Sequence, residues 1–147
     1  MKINKVAIVS KFGSKKSENA AKKTAEKLLK QKFKVYTISP VSIKGGEEIN
    51  SLEDLRNIKL DLVITLGGDG TTLRAFRNLE NETPLLAINV GGNRGILSEI
   101  KLDEINDAIQ HIKKNEVWFD KRTRVVASCN GKPVSYTHLT LPTNREV

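Results

Sequence analysis

Apolar residues in this chain fall into short runs, and between the runs they recur at helical spacing. Lys5-Val-Ala-Ile-Val-Ser10 has the length and composition of a buried strand, and Gly13-Ser14 marks a turn after it. From Lys15 to Lys34 the pattern changes: Ala21, Ala25, Leu28 and Leu29 share one face, which predicts an amphipathic helix. Lys34 to Ser39 predicts a second strand, ended by Pro40, and Val41 to Asn50, with Gly45-Gly46, predicts a loop. Ser51 to Asn57 predicts a short helix with Ser51 as N-cap and Asp54 completing a capping box. Asp61-Leu-Val-Ile-Thr-Leu66 is a continuous apolar run, as parallel strands show when both faces are covered, so it is expected at the centre of a sheet. Thr72 to Leu79 predicts a helix, Leu85 to Asn89 a strand opened by Pro84, and Leu102 to Lys114 a further helix through Ile105, Ala108, Ile109 and Ile112.

Strands alternating with helices over short connections imply an α/β fold, a three-layer sandwich with a mainly parallel sheet, over residues 1–116. From Val117 the pattern becomes antiparallel in character. Trp118-Phe119, the alternation from Arg122 to Cys129 and the hairpin-type pair Asn130-Gly131 predict the start of a truncated all-β domain over 117–133. Residues 134–147, Val134-Ser-Tyr-Thr-His-Leu-Thr-Leu-Pro-Thr-Asn-Arg-Glu-Val147, resemble translated sequencing-adapter read-through; they are expected to be a non-native tail, with no functional weight on Tyr136 or His138.

Composition narrows the classes. The chain has 147 residues, enough for one domain with a core, and 38% of them are hydrophobic. No apolar run approaches the ~20 residues that span a bilayer, and the N-terminus has no long apolar segment with a small-residue cleavage site. A cytoplasmic protein that does not engage membranes is therefore expected. A lone cysteine, Cys129, cannot form an internal disulfide, and two histidines give no Cys/His cluster of metal-ligand spacing, so no metal-ligating residues are assigned. The formal charge of +8 raises nucleic acid as a partner. Lys22, Lys23, Lys27 and Lys30 nevertheless belong to the polar side of the first helix, with Glu18/Lys22 and Glu26/Lys30 at supportive spacing. No aromatic residues interleave with them to stack bases, so no nucleic-acid partner is expected.

The chemistry concentrates in Gly67-Gly68-Asp69-Gly70-Thr71, between the central strand and a helix. Such a loop exposes successive backbone N–H groups at the positive end of a helix and suits phosphate. The glycines admit close backbone approach and positive φ. They leave Asp69 as the ionisable group of the turn, placed to accept a proton from a substrate hydroxyl, or to orient it, in phosphoryl transfer. Helix caps and tight turns use the same residue types. What favours a ligand is a second glycine turn, Asn89-Val90-Gly91-Gly92-Asn93-Arg94-Gly95, after the next strand: two such loops at the carboxyl ends of parallel strands form the crevice where these sheets bind ligands.

These two stretches carry a family resemblance. Gly67-Gly-Asp-Gly-Thr71 followed by Leu73 and Arg74 resembles the signature of NAD kinases. Pro84-Leu-Leu-Ala-Ile-Asn-Val-Gly91 with Gly95-Ile-Leu-Ser-Glu99 is similar to that family's second motif, and the likeness runs from about Val6 to Pro133. The resemblance implies transfer of a phosphoryl group from ATP, or polyphosphate, to the 2′-hydroxyl of the adenosine ribose of NAD, with a divalent cation, Mg²⁺ by expectation. It implies Asp69 as proton acceptor, and Gly67, Gly68, Asp69, Gly70, Thr71, Arg74, Asn89 and Gly91 as residues that bind or shape the nucleotide site. It also implies homodimers or tetramers for a full-length parent. Ala87 stands where the family has glycine and Ile96 where it has phenylalanine, and the second loop differs in length, so a divergent, archaeal-type member is expected. The resemblance places the Asn-Glu or Asn-Asp pair that grips the adenosine ribose in an all-β domain beyond the present end, so the chain alone is expected to have little activity.

Three other readings compete. Lipid kinases of the diacylglycerol and sphingosine type share Gly-Gly-Asp-Gly-Thr, but their later Gly-Thr-x-Asn-Asp stretch is not present. A flavodoxin-like signalling domain wants an acidic pair where this chain has Ser10-Lys11. A non-catalytic nucleotide-binding module remains the third.

Overall fold

The structure is a computed structural model that describes residues 2–79, 83–90 and 100–117, and the backbone of 122–129 and 132–140. It divides into two compact units, Met1–Val117 and Trp118–Val147.

The first unit is a six-stranded, fully parallel sheet made of β1 (Lys5–Ser10), β2 (Lys34–Ile38), β3 (Glu47–Ile49), β4 (Leu62–Gly67), β5 (Leu85–Asn89) and β6 (Ile100–Lys101), in the order β3-β2-β1-β4-β5-β6. β1 and β4 form the centre, paired from Val6↔Leu62 to Ser10↔Leu66. Their near-uniform apolar sequences follow from that position: every residue of β4 is buried, as are Val6 to Val9 of β1. A strand with both faces covered has no solvent side on which to alternate.

Three helices, α1 (Lys15–Lys30), α2 (Asp69–Arg77) and α3 (Ile105–Lys113), cover the two faces. Val6, Ile8, Ile64, Leu66 and Ile88 meet Ala21, Ala25 and Leu28 of α1 and Ile105, Ile109 and Ile112 of α3. The alternate strand residues Ala7, Val9 and Val63 meet Ala75 on α2 and Leu55 in the 3-10 turn Leu52–Asn57. The expected three-layer α/β sandwich is therefore present, with the inner strands β2, β1, β4 and β5 feeding both cores through their two-residue period.

α1 starts where the Ser14 hydroxyl accepts from the Ser17 amide at 3.2 Å, and ends at Gln31. Thr24 sits on its buried face because its hydroxyl donates to the Ala20 carbonyl, 2.8 Å away, and so needs no outside partner. Lys22, Lys23 and Lys30 are exposed, as their spacing implied, but among the described residues the Glu18/Lys22 and Glu26/Lys30 spacings close no ion pair. At the opposite end of the sheet, the Asp61 carboxylate accepts from the amides of Asn4 and Lys5, both at 2.9 Å, and ties the approach to β4 to the start of β1.

Four local expectations are corrected. The stretch Val41–Asn50 is not loop throughout: Glu47–Ile49 adds an edge strand along β2, short enough to carry little apolar signal of its own. Ser51 occupies the N-cap of a 3-10 turn but makes no capping hydrogen bond, so the capping box is absent. The second helix begins at Asp69, not Thr72. The helix expected from Leu102 starts at Ile105, after the edge strand β6 and a 3-10 turn, Leu102–Glu104, whose Glu104 carboxylate accepts from the Lys101 amide at 2.9 Å.

The second unit contains the antiparallel pair β7 (Arg122–Cys129) and β8 (Lys132–Thr140), with an irregularity at Ala127/Ser128. The pairing takes in Ser135 to Thr140 of the adapter-like stretch. The Asn130-Gly131 turn and Trp118-Phe119 lie outside the described residues.

Candidate functional site

Strand order locates the crevice. From β1 the chain proceeds outward through β2 to β3, and from β4 it proceeds outward the other way through β5 to β6. The direction of winding reverses between β1 and β4, and α1 and α2, which follow them, lie on opposite faces. In open parallel sheets that reversal leaves a gap outside the carboxyl ends of the two strands, where ligands bind. The Gly67–Thr71 loop stands on one side of this gap, as expected. Its neighbour across the gap is the Lys11–Ser14 loop that follows β1.

The glycine turn is built by close contacts. β4 ends at Gly67, whose carbonyl accepts from the Val90 amide at 3.2 Å, while the Lys11 amide donates to the Leu66 carbonyl at 2.9 Å. The chain then turns at Gly68, the N-cap, and α2 begins at Asp69. A Cβ on Gly67 would meet Thr71 Oγ1 at 2.6 Å, and the Cβ atoms of Lys11 and Thr71 at 3.1 Å each, so no side chain fits there. Gly68 and Gly70 differ: among the described residues a Cβ on either would meet nothing within 4 Å. Gly68 has φ −115° and Gly70 lies within α2, so positive φ, one of the expected reasons for these glycines, applies to neither. Their bare backbones face open space at the head of a helix, and a glycine inside a helix costs up to ~1 kcal/mol relative to alanine. Among the described residues nothing of the packing requires them, and space beside the turn is the remaining physical reason.

α2 is fixed to the sheet by two threonines that the sequence reading passed over. Thr65 Oγ1 and Thr72 Oγ1 lie 3.1 Å apart in a buried hydrogen bond, and the Thr72 hydroxyl also donates to the Gly68 carbonyl at 3.3 Å. The first bond of the helical ladder joins the Thr72 amide to that same carbonyl at 3.2 Å. The amides of Gly70 and Thr71 therefore lie ahead of the ladder, at the positive end of α2. A hydroxyl within an otherwise apolar strand, at Thr65, was the available signal.

The expected site residues now have places. Asp69 is the first residue of α2 and half-buried at the rim. Thr71 is buried beneath Gly67, so its side chain packs the turn. Arg74 is half-buried, one turn below the exposed Gly70 on the same stripe of α2. Asn89 ends β5 directly beside Gly67 in register, which joins the second motif to the first. Gly91 and the rest of the second glycine turn lie outside the described residues. Among the described residues no group of three or more His, Cys, Asp or Glu could hold a metal ion, and no helix is long and apolar enough to cross a membrane.

A doubly wound parallel sheet with a glycine turn and a helix N-terminus at its reversal point defines a nucleotide-binding α/β domain. Comparison with known proteins names the group. Residues 5–117 match the ATP-NAD kinase N-terminal domain, and the chain belongs to this family. It is 30% identical to the NAD kinase of Methanothermobacter thermautotrophicus over an alignment of 147 residues that takes in 96% of this chain and 50% of that protein. The yeast NADH kinase, solved in complex with NADH, has the same fold at a TM-score of 0.67 and 18% identity, covering 94% of this chain and 47% of that one. The NAD kinase of Archaeoglobus fulgidus, solved with ATP, superposes at a TM-score of 0.56 and 21% identity, covering 88% of this chain and 45% of that one. The chain spans about half the length of the curated relatives it matches, 50% and 44% of two of them. Nothing in these matches supports the lipid-kinase alternative.

Proposed function

We propose that this chain supplies the nucleotide-binding half of an NAD kinase, which transfers a phosphoryl group to the 2′-hydroxyl of the adenosine ribose of NAD. The observation that carries this reading is Asp69: a half-buried carboxylate on the first residue of α2, between two glycines with open space at Cβ, in a chain whose family is the ATP-NAD kinases. Relatives solved with NADH and with ATP support a dinucleotide acceptor and ATP as donor.

In this mechanism the Asp69 carboxylate accepts the proton of the 2′-hydroxyl as its oxygen bonds to the γ-phosphorus of ATP. The bond from that phosphorus to the β,γ-bridging oxygen breaks, and ADP leaves with the electron pair. Such transfers depend mainly on positioning and charge neutralisation. The amides of Gly70 and Thr71 and the Arg74 guanidinium supply donors and positive charge, and Asn89 holds the neighbouring strand end in register. A divalent ion carried by the donor's phosphates would neutralise polyphosphate charge, leaving Asp69 to take the proton. The chain spans about half the length of the relatives it matches, so in this reading the 147-residue chain alone should have little activity.

The test is Asp69→Asn in the full-length enzyme, assayed for NADP formation. Turnover should fall by ~10² or more while the KM for NAD changes only a few-fold, because the amide keeps the shape and loses the basicity. An unchanged turnover would remove Asp69 from the chemistry.

A further inference from the structure

The glycine turn presents backbone N–H groups to phosphate, but its own side-chain charge is the negative one of Asp69. Arg74, a full turn down α2, supplies one cation to a polyphosphate bound there. Topology supplies a second, on the other side of the gap. Lys11 follows β1 directly, across the winding reversal from Gly67, and its amide is bonded to the Leu66 carbonyl at 2.9 Å. Its Cβ lies 3.1 Å from where a Gly67 Cβ would be, as does that of Thr71 in α2. By strand alternation Lys11 shares the face of Val9, which is the α2 face. The base of its side chain is thus fixed beside the head of α2, while the residue as a whole is exposed and makes no ion pair with any described residue.

The next residue is Phe12. It is 74% exposed, the large hydrophobic side chain left in solvent among the described residues. It precedes Gly13, at φ +76°, where a Cβ would have open space around it. One exposed aromatic on a surface is ordinary. One that follows the cation at the mouth of a nucleotide crevice offers a flat apolar face to a base.

We propose that Lys11 and Phe12 form the donor-side lip of the site: the Lys11 ammonium binds the donor's phosphates, and the Phe12 ring stacks on its adenine. The inference rests on the kinase reading above and adds the loop after β1 to it. Lys11 serves any polyphosphate donor, whereas Phe12 serves only a donor with a base.

Steady-state kinetics of the full-length enzyme with ATP and with inorganic tripolyphosphate separate these roles. Lys11→Gln should raise the KM for either donor about tenfold, since a charge-assisted phosphate contact is lost. Lys11→Arg should restore most of it, and the KM for NAD should stay within about twofold in both. Phe12→Ala should raise the KM for ATP by about fivefold or more and leave tripolyphosphate unaffected. Lys22→Gln, on the solvated side of α1, should change nothing. If Lys11→Gln leaves donor KM at the wild-type value in an enzyme that makes NADP, the lip is wrong and the kinase reading stands. If it raises KM for NAD instead, Lys11 belongs to the acceptor side and the proposal is equally overturned. A wild-type enzyme that makes no NADP with either donor sinks the kinase reading, and this inference with it.

Discussion

Gly67→Ala tests whether the turn is set by contact or by composition. The added methyl would sit 2.6 Å from Thr71 Oγ1 and 3.1 Å from both Thr71 Cβ and Lys11 Cβ. Rotating Thr71 about χ1 moves its hydroxyl away, but a β-branched side chain then brings its methyl toward the same space, and the two Cβ contacts stay tight. Thr71 is 5% exposed and belongs to the first turn of α2, so relief requires that turn to move from the sheet or β1 to give. Overpacking of this kind costs about 1–3 kcal/mol. For a chain of this size that lowers the melting temperature by roughly 3–12 °C. Thermal unfolding followed by circular dichroism measures it. Thr71→Ala in the same background removes the 2.6 Å contact, so the double variant should be more stable than the two single losses add up to, with a coupling of about 0.5 kcal/mol or more. Gly68→Ala is the control, with nothing within 4 Å of its new Cβ and an expected change within ~0.5 kcal/mol. If Gly67→Ala melts with the wild type, or its loss adds simply to that of Thr71→Ala, the contact does not shape the turn.

Two further outcomes follow from the same geometry. Gly70→Ala should raise stability by up to ~1 kcal/mol, because a helical glycine with open space gains a better helix former, yet weaken ATP binding by calorimetry; unaltered binding would show that no ligand approaches that backbone. Thr72→Val strands the Thr65 hydroxyl, which is 1% exposed, and should cost ~1–3 kcal/mol in urea unfolding, part of it recovered when Thr65→Val is added; equal or greater loss in the double variant would mean that the hydroxyl pair does not anchor α2.

The class of fold was legible because its signal is redundant. Buried parallel strands such as Leu62–Gly67 are apolar throughout, and α1 writes its buried face as Ala21, Ala25 and Leu28. Short edge elements were not. Glu47–Ile49 has two exposed glutamates and is a strand because β2 offers it unpaired backbone, and Ile100–Lys101 pairs with β5 through two residues. The start of α2 was misjudged by three residues since Asp69-Gly70 has the composition of a turn. The Thr72 bonds to Gly68, the helical ladder bond among them, help draw those residues into a helix.

The site divides along the same line. Motif spacing found the loop after β4, and register places Asn89 beside it. It could not find the loop after β1, because Ser10-Lys11-Phe12-Gly13 becomes part of a crevice only when β1 and β4 are neighbours that wind outward in opposite directions, and strand order is not written in any local pattern. The three glycines of the turn make the point within a single motif. Gly67 is demanded by the protein's own packing against Thr71 and Lys11, whereas among the described residues a Cβ on Gly68 or Gly70 would meet nothing within 4 Å. A sequence shows them as equivalent. The structure separates the one that builds the turn from the two that, among the described residues, leave space beside it, where the proposed nucleotide would lie.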